Sequence, residues 1–153
     1  MKKNYISLFV LILGTIIITL ALSTLYKQKF SPTSYSYDRL NKITADEFNE
    51  YIIENPSTIL YIGDKTKDTN NKIEKKFINK LESLNLLENA IYIDKDEVTS
   101  KLEKILKEKY KYTYNEKKLP TILVIIDGKV AQIEDVTADS NIETIIEYEV
   151  FEW

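Results

Sequence analysis

The chain contains no cysteine and no histidine. The first absence excludes disulfides, thiol nucleophiles, Cys-ligated metal and a lipid-modified amino-terminal cysteine. The second removes the commonest general base and the commonest metal ligand. Positive charge is outnumbered beyond position 30. Four of the 21 Lys and Arg residues come before it, which leaves 17 against all 24 acidic residues and a balance of −7. So acidic a segment is a poor candidate for nucleic acid or anionic lipid. Its Lys and Glu are well mixed along the chain, the pattern of a solvated surface.

Charge of either sign is missing between Lys3 and Lys27. The run "YISLFVLILGTIIITLALSTLY" (Tyr5 to Tyr26) spans 22 residues, roughly 33 Å as a helix against a hydrocarbon core of ~30 Å. Tyr5 and Tyr26 stand at its two ends, where amphipathic rings favour the membrane interface. The expectation is a single N-terminal transmembrane anchor over 5–26, with 1–4 in the cytoplasm because Lys2 and Lys3 precede it. Residues 27–43 then form a polar, Tyr-rich spacer, and 44–153 a domain outside the cytoplasm. The alternative is a cleaved signal peptide with "ALS" (Ala21 to Ser23) as the cleavage site and a secreted product. The apolar run is long for a signal peptide and continues past that site.

Beyond the spacer, two periodicities alternate. Thr44 and Glu47 form a capping box ahead of a helix carrying Phe48, Tyr51 and Ile52, which ends at "ENPS". "TILYI" (Thr58 to Ile62) is short and apolar enough for a buried strand. Ile73, Phe77, Leu81 and Leu84 recur at helical spacing; "AIYI" (Ala90 to Ile93) is a second strand. Val98, Leu102, Ile105, Leu106 and Tyr110 mark a third helix. "TILVII" (Thr121 to Ile126) reads as a strand buried on both faces, and Asp127-Gly128 turns it into an antiparallel partner, "KVAQIE". Ser140 and Glu143 form a second capping box before Ile142, Ile145, Ile146 and Val150. The order α-β-α-β-α-β-β-α predicts a mixed, four-stranded α/β sheet. Its pairing is parallel up to a closing antiparallel hairpin, and helices cover both faces.

Two stretches carry a resemblance beyond this order. "KLPTILVIIDGKV" (Lys118 to Val130) resembles the thioredoxin-like superfamily's cis-proline, Thr, apolar strand and Asp/Asn-Gly turn. "LYIGDKT" (Leu60 to Thr66) resembles the approach to the redox loop in small membrane-anchored members, including the bacteriocin-transport-accessory type. The likeness covers roughly Thr44 to Val150. It implies a thioredoxin-like fold, a cis bond at Leu119–Pro120 and a Cys-x-x-Cys loop. The positions of that loop here are Lys67, Asp68, Thr69 and Asn70, with Lys67 and Asn70 where the family has its sulfurs. Thiol–disulfide exchange needs an attacking thiolate and a second sulfur to resolve the mixed disulfide. Neither Lys67 nor Asn70 can serve, so the loop is expected to be a degenerate redox site.

Other candidates are weaker. Asp64, Asp68 and Asn70 do not keep the spacing of a calcium loop; turning the chain and capping the next helix suits them better. Asp94 and Asp96 stand at the carboxyl end of a strand, where a capping role competes with a ligand site. Lys67 sits beside Asp68 on a polar loop, the setting of a solvated charge and not of a nucleophile. In "KYKYTYNEKK" (Lys109 to Lys118), Tyr110 continues a helical stripe, while Tyr112 and Tyr114 are expected as exposed partner contacts; the resemblance adds the backbone of Leu119, exposed near Lys67, as a third. No metal, cofactor or nucleic acid is expected. The expected function is a membrane-anchored, non-redox accessory module that holds an envelope protein or a peptide. The alternatives are an accessory or immunity-like component of a bacteriocin or peptide export system, and a non-redox enzyme using Asp64, Asp68, Asp94 or Lys67.

Overall fold

The computed structural model describes residues 12–24, 33–66, 71–137 and 140. The chain divides into two units, Met1–Pro32 and Thr33–Trp153. In the first, residues 12–24 form helix α1, with Ile12, Leu13, Ile16, Ile17, Ile18, Leu20 and Leu22 exposed. Among the described residues, no helix is long and apolar enough to cross a membrane. The two ends of the predicted span, 5–11 and 25–26, lie outside the described residues, as do the helix predicted after Ser140 and the loop 67–70.

In the second unit the sheet has five strands, not four: β1 (Asn41–Lys42), β2 (Thr58–Gly63), β3 (Ala90–Asp94), β4 (Thr121–Ile126) and β5 (Lys129–Asp135). The order is β1-β3-β2-β4-β5. The additional edge strand comes from the stretch read as a spacer, which also supplies helix α2 (Tyr35–Arg39). Two exposed polar residues offer no apolar alternation, so β1 is held by its neighbour: Asn41 pairs with Ile91 and Lys42 with Tyr92.

The sheet is parallel from β1 through β3 to β2 and antiparallel from there, since β4 runs against β2 and β5 against β4. The parallel part therefore ends one strand earlier than the strand–helix alternation implies. The connection from β3 explains it. Helix α5 (Ser100–Tyr110) is followed by a returning stretch whose Glu116 lies 3.2 Å from Lys95, the residue just after β3. The chain thus leaves and re-enters at one end of the sheet, and β4 must run back.

Both faces are covered. Tyr61, Tyr92, Ile122 and Val124 pack beneath α2 and α4 (Asn71–Ser83), joined by Phe77, Ile78 and Leu81. Leu60, Ile62, Ile91 and Ile93 pack on the other face against α3 (Phe48–Glu54) and α5, joined by Phe48, Ile52, Leu102 and Leu106. Helix starts follow local chemistry. Glu47 Oε2 accepts from both the backbone N–H and the hydroxyl of Thr44 at 2.8 Å, and α3 begins one turn later at Phe48. Thr99 caps α5 by accepting from the Leu102 N–H, which leaves Val98 outside that helix.

Candidate functional site

The fold gathers its polar groups where β2 and β3 end. Gly63 closes β2 and Asp64 and Lys65 follow; Asp94 closes β3 and Lys95 and Asp96 follow. The two strands are in parallel register with Gly63 opposite Asp94, so these residues stand side by side and exchange partners. Lys95 Nζ reaches across to Asp64 Oδ2 at 3.1 Å, and Lys65 Nζ reaches back to Asp94 Oδ1 at 3.4 Å. Lys65 also pairs with Asp96 at 3.4 Å, and Lys95 with Glu116 at 3.2 Å. The backbone joins in: Asp94 Oδ2 accepts from the Lys65 N–H at 2.9 Å and Asp94 Oδ1 from the Asp96 N–H at 3.0 Å. Asp64 Oδ1 accepts from the Thr66 N–H at 2.9 Å and the Thr66 hydroxyl at 2.6 Å.

The result is a closed frame in which each lysine bridges two carboxylates. Burial pushes the Asp64 carboxyl up. The Thr66 hydroxyl and N–H, with the Lys95 ammonium, more than offset this and hold it below the usual aspartate range. Hydrogen bonds to Asp64 and Glu116 raise Lys95 above the ordinary lysine range. Both shifts strengthen the charged forms, the opposite of what a general acid or base working near neutrality needs. Among the described residues, no group of three or more Asp, Glu, His or Cys side chains could hold a metal ion.

Beneath the frame lies a buried polar cluster. Glu74, on the first turn of α4, is 4 % exposed. Its Oε1 accepts from the Ser34 hydroxyl at 2.8 Å and the Tyr61 hydroxyl at 2.9 Å, and its Oε2 from the Ser36 N–H at 3.2 Å. Ser34 also caps α2 and donates its own N–H to the Lys65 carbonyl at 2.9 Å. The segment read as a spacer is therefore pinned to the start of the loop that follows β2. Tyr61 stacks on Tyr92 with ring centroids 5.4 Å apart, and Tyr37 meets Tyr92 edge-on at 5.3 Å. Burial, then the Glu74 carboxyl, push the Tyr61 hydroxyl well above its ordinary range, so it remains a donor.

A third group lies around Pro120, whose peptide bond with Leu119 is cis. Thr121, fully buried, accepts from the Tyr112 hydroxyl at 3.1 Å and donates to Asp135 Oδ1 at 2.9 Å. Lys118 pairs with Asp135 Oδ2 at 2.8 Å, and the Val136 N–H donates to the Pro120 carbonyl at 2.8 Å.

Two of the expected partner contacts lie in buried positions. Tyr112 is buried, because Lys111 ends α5 in a left-handed turn (φ 58°) and brings the Tyr112 N–H back to the Leu106 carbonyl at 3.0 Å. Leu119 packs its side chain into the α3/α5 core. Tyr114 is half-buried. Asp94 and Asp96 meet at the 3-10 turn Lys95–Glu97, which Asp94 caps, while Asp64 turns the chain at Thr66. Lys67, Asp68, Thr69 and Asn70 lie outside the described residues.

Sequence reasoning missed Glu74, Ser34, Ser36, Lys65 and Lys95. Only Glu74 had a usable signal. It falls three, four and seven residues before Phe77, Ile78 and Leu81, on the apolar face of a helix whose other charges face solvent.

No protein family's sequence profile matches the chain, and no curated protein matches it in sequence. A solved structure described as "A putative oxidoreductase with a thioredoxin fold" superposes on it with a TM-score of 0.57 and 16% identity, covering 74% of this chain and 96% of that one. The chain adopts the thioredoxin-like fold. The chain contains no cysteine.

Proposed function

We propose that the protein is a thioredoxin-fold contact module that holds a protein or peptide partner and performs no thiol–disulfide exchange. The observation that carries this reading is the closed frame at the strand ends. Lys65 is committed to Asp94 and Asp96, and Lys95 to Asp64 and Glu116, so each of the six charges has a partner within the frame. A frame of this kind fixes the main chain just after β2 and β3, which suits a recognition surface. The uncharged run from Tyr5 to Tyr26 supports tethering to a membrane, with the domain outside the cytoplasm and an envelope protein as partner. Within this reading, the likeness of Leu60–Thr66 to bacteriocin-transport-accessory proteins favours an accessory or immunity-like role in peptide export. An enzyme using Asp64, Asp68, Asp94 or Lys67 is the competing reading, and the committed partners of Asp64 and Asp94 weigh against it.

Photo-crosslinking in living cells tests the proposal. A photoreactive residue at the exposed Thr66 is expected to yield a discrete adduct, and one at the exposed Glu88, away from the strand ends, none. No adduct from Thr66, or equal yields from both positions, overturns it.

A further inference from the structure

A cavity of about 400 Å³ opens between the stretch that returns from α5 and strand β5, with Ile133 and Asp135 on its β5 wall. A count of its polar groups defines what it can hold. Asp135 is its one carboxylate, and both oxygens are taken, Oδ1 by the Thr121 hydroxyl and Oδ2 by Lys118. Asn115 Oδ1 accepts from the Lys117 N–H at 3.0 Å, which leaves its NH₂ as the free end. The donors are in surplus. Lys118 and Lys111 each use one ammonium hydrogen within the protein, Lys111 on the Glu108 carbonyl at 3.1 Å, and each keeps the rest. The Tyr114 and Thr113 hydroxyls have no hydrogen-bond partner among the described residues. Burial, followed by Glu116, Tyr112 and Glu103, pushes the Tyr114 hydroxyl up to about 12, so it remains a donor at neutral pH.

We infer that this cavity binds an organic oxyanion, a carboxylate or phosphate carried on a compact ring or apolar body. Lys111, Lys118, Tyr114 and the Asn115 amide supply donors to the anion, and Ile133 with the Tyr112 ring receives the body. The site goes beyond the partner surface proposed above. It uses none of the framed strand-end charges, and its lining sets two lysines against one carboxylate on a domain whose balance is acidic. Indiscriminate attraction of anions would not single it out.

The test is an NMR titration of the full-length ¹⁵N-labelled chain with inorganic phosphate, phenyl phosphate and benzoate at physiological salt. Saturable shifts are expected at the Asn115 side-chain amide and the Lys118 backbone amide. One of the two ring-bearing anions should bind at least tenfold more tightly than inorganic phosphate, about 1.4 kcal/mol. Which of the two it is decides between a phosphate and a carboxylate ligand.

Lys118 is 60% exposed in its ion pair, so Lys118→Gln should leave the fold intact while weakening binding about tenfold. Lys111→Asn suits the left-handed backbone there and should act in the same direction. Asp135→Asn keeps an oxygen for Thr121, releases Lys118 and should tighten binding. The absence of saturable shifts, shifts that persist unchanged in the Lys111→Asn/Lys118→Gln variant, or weaker binding in Asp135→Asn overturns the assignment.

Discussion

Replacing Glu74 by alanine is expected to destabilise the domain by about 3–5 kcal/mol, a large share of the 5–15 kcal/mol typical of folded domains. The side chain is buried and serves three donors on two segments: Ser34 and Ser36 at the start of α2, and Tyr61 on β2. Alanine leaves two hydroxyls and one N–H buried without an acceptor, and each such group costs about 1–3 kcal/mol. Glu74→Gln keeps the shape and one acceptor oxygen but turns an NH₂ toward a donor. It should fall between wild type and alanine. Urea unfolding of the full chain measures both. A loss below about 1 kcal/mol for alanine would show that water replaces the carboxyl and that the cluster does not hold α2 in place.

The second large effect is expected at Gly63, for a steric reason. A β-carbon there would lie 2.7 Å from Tyr61 Cε1 and 2.7 Å from the Tyr92 hydroxyl. Both rings are about 1% exposed, and Tyr61 is flanked by Tyr92 and Phe77 at 5.4 Å, so neither can swing aside. Gly63→Ala should therefore destabilise by about 1–3 kcal/mol, the usual range for overpacking. Tyr92 supplies a check of opposite sign. Its hydroxyl is buried without a hydrogen-bond partner among the described residues, so Tyr92→Phe should be neutral or stabilising and should recover part of the Gly63→Ala loss. Recovery stays partial because the Tyr61 contact remains. If Gly63→Ala matched wild type in its denaturation midpoint, the tyrosine stack would be more yielding than its packing implies.

These two positions also mark the limits of what could be read from sequence. The main helices and the longer strands declare themselves through apolar periodicity, which reports burial directly: Phe77 and Leu81 on α4, Leu102 and Leu106 on α5, the unbroken run of β4. Edge strand β1 carries no such signal, since Asn41 and Lys42 are exposed and pair with β3 through the backbone. Helix α2 has only five residues and depends on Ser34 and Glu74, partners forty positions apart. The direction of β4 depends on where the stretch after α5 returns, a tertiary matter that local spacing does not encode. Tyr112 looked like one of several exposed tyrosines in a polar run. The left-handed turn at Lys111 buries it.

The candidate site was legible in location only. Strand ends and the stretch around Pro120 are foreseeable from the order of elements. The frame was not, because its pairs join residues about thirty positions apart, Lys65 with Asp94 and Lys95 with Asp64. It exists only once β2 and β3 lie in register.

The central claim is that the strand-end carboxylates form a frame and not a catalytic pair, and Asp64 is the group that decides it. A carbon-13 titration of its carboxyl in the full chain measures this directly. Its folded value is lowered, so its contribution to stability is complete above the ordinary aspartate value of about 3.9 and is lost as the pH falls below it. The predicted result is a midpoint below that value, with a fall in stability on the acid side that Asp64→Asn flattens. A midpoint raised toward neutrality, about 6–7, would be the mark of a general acid or base and would contradict the account.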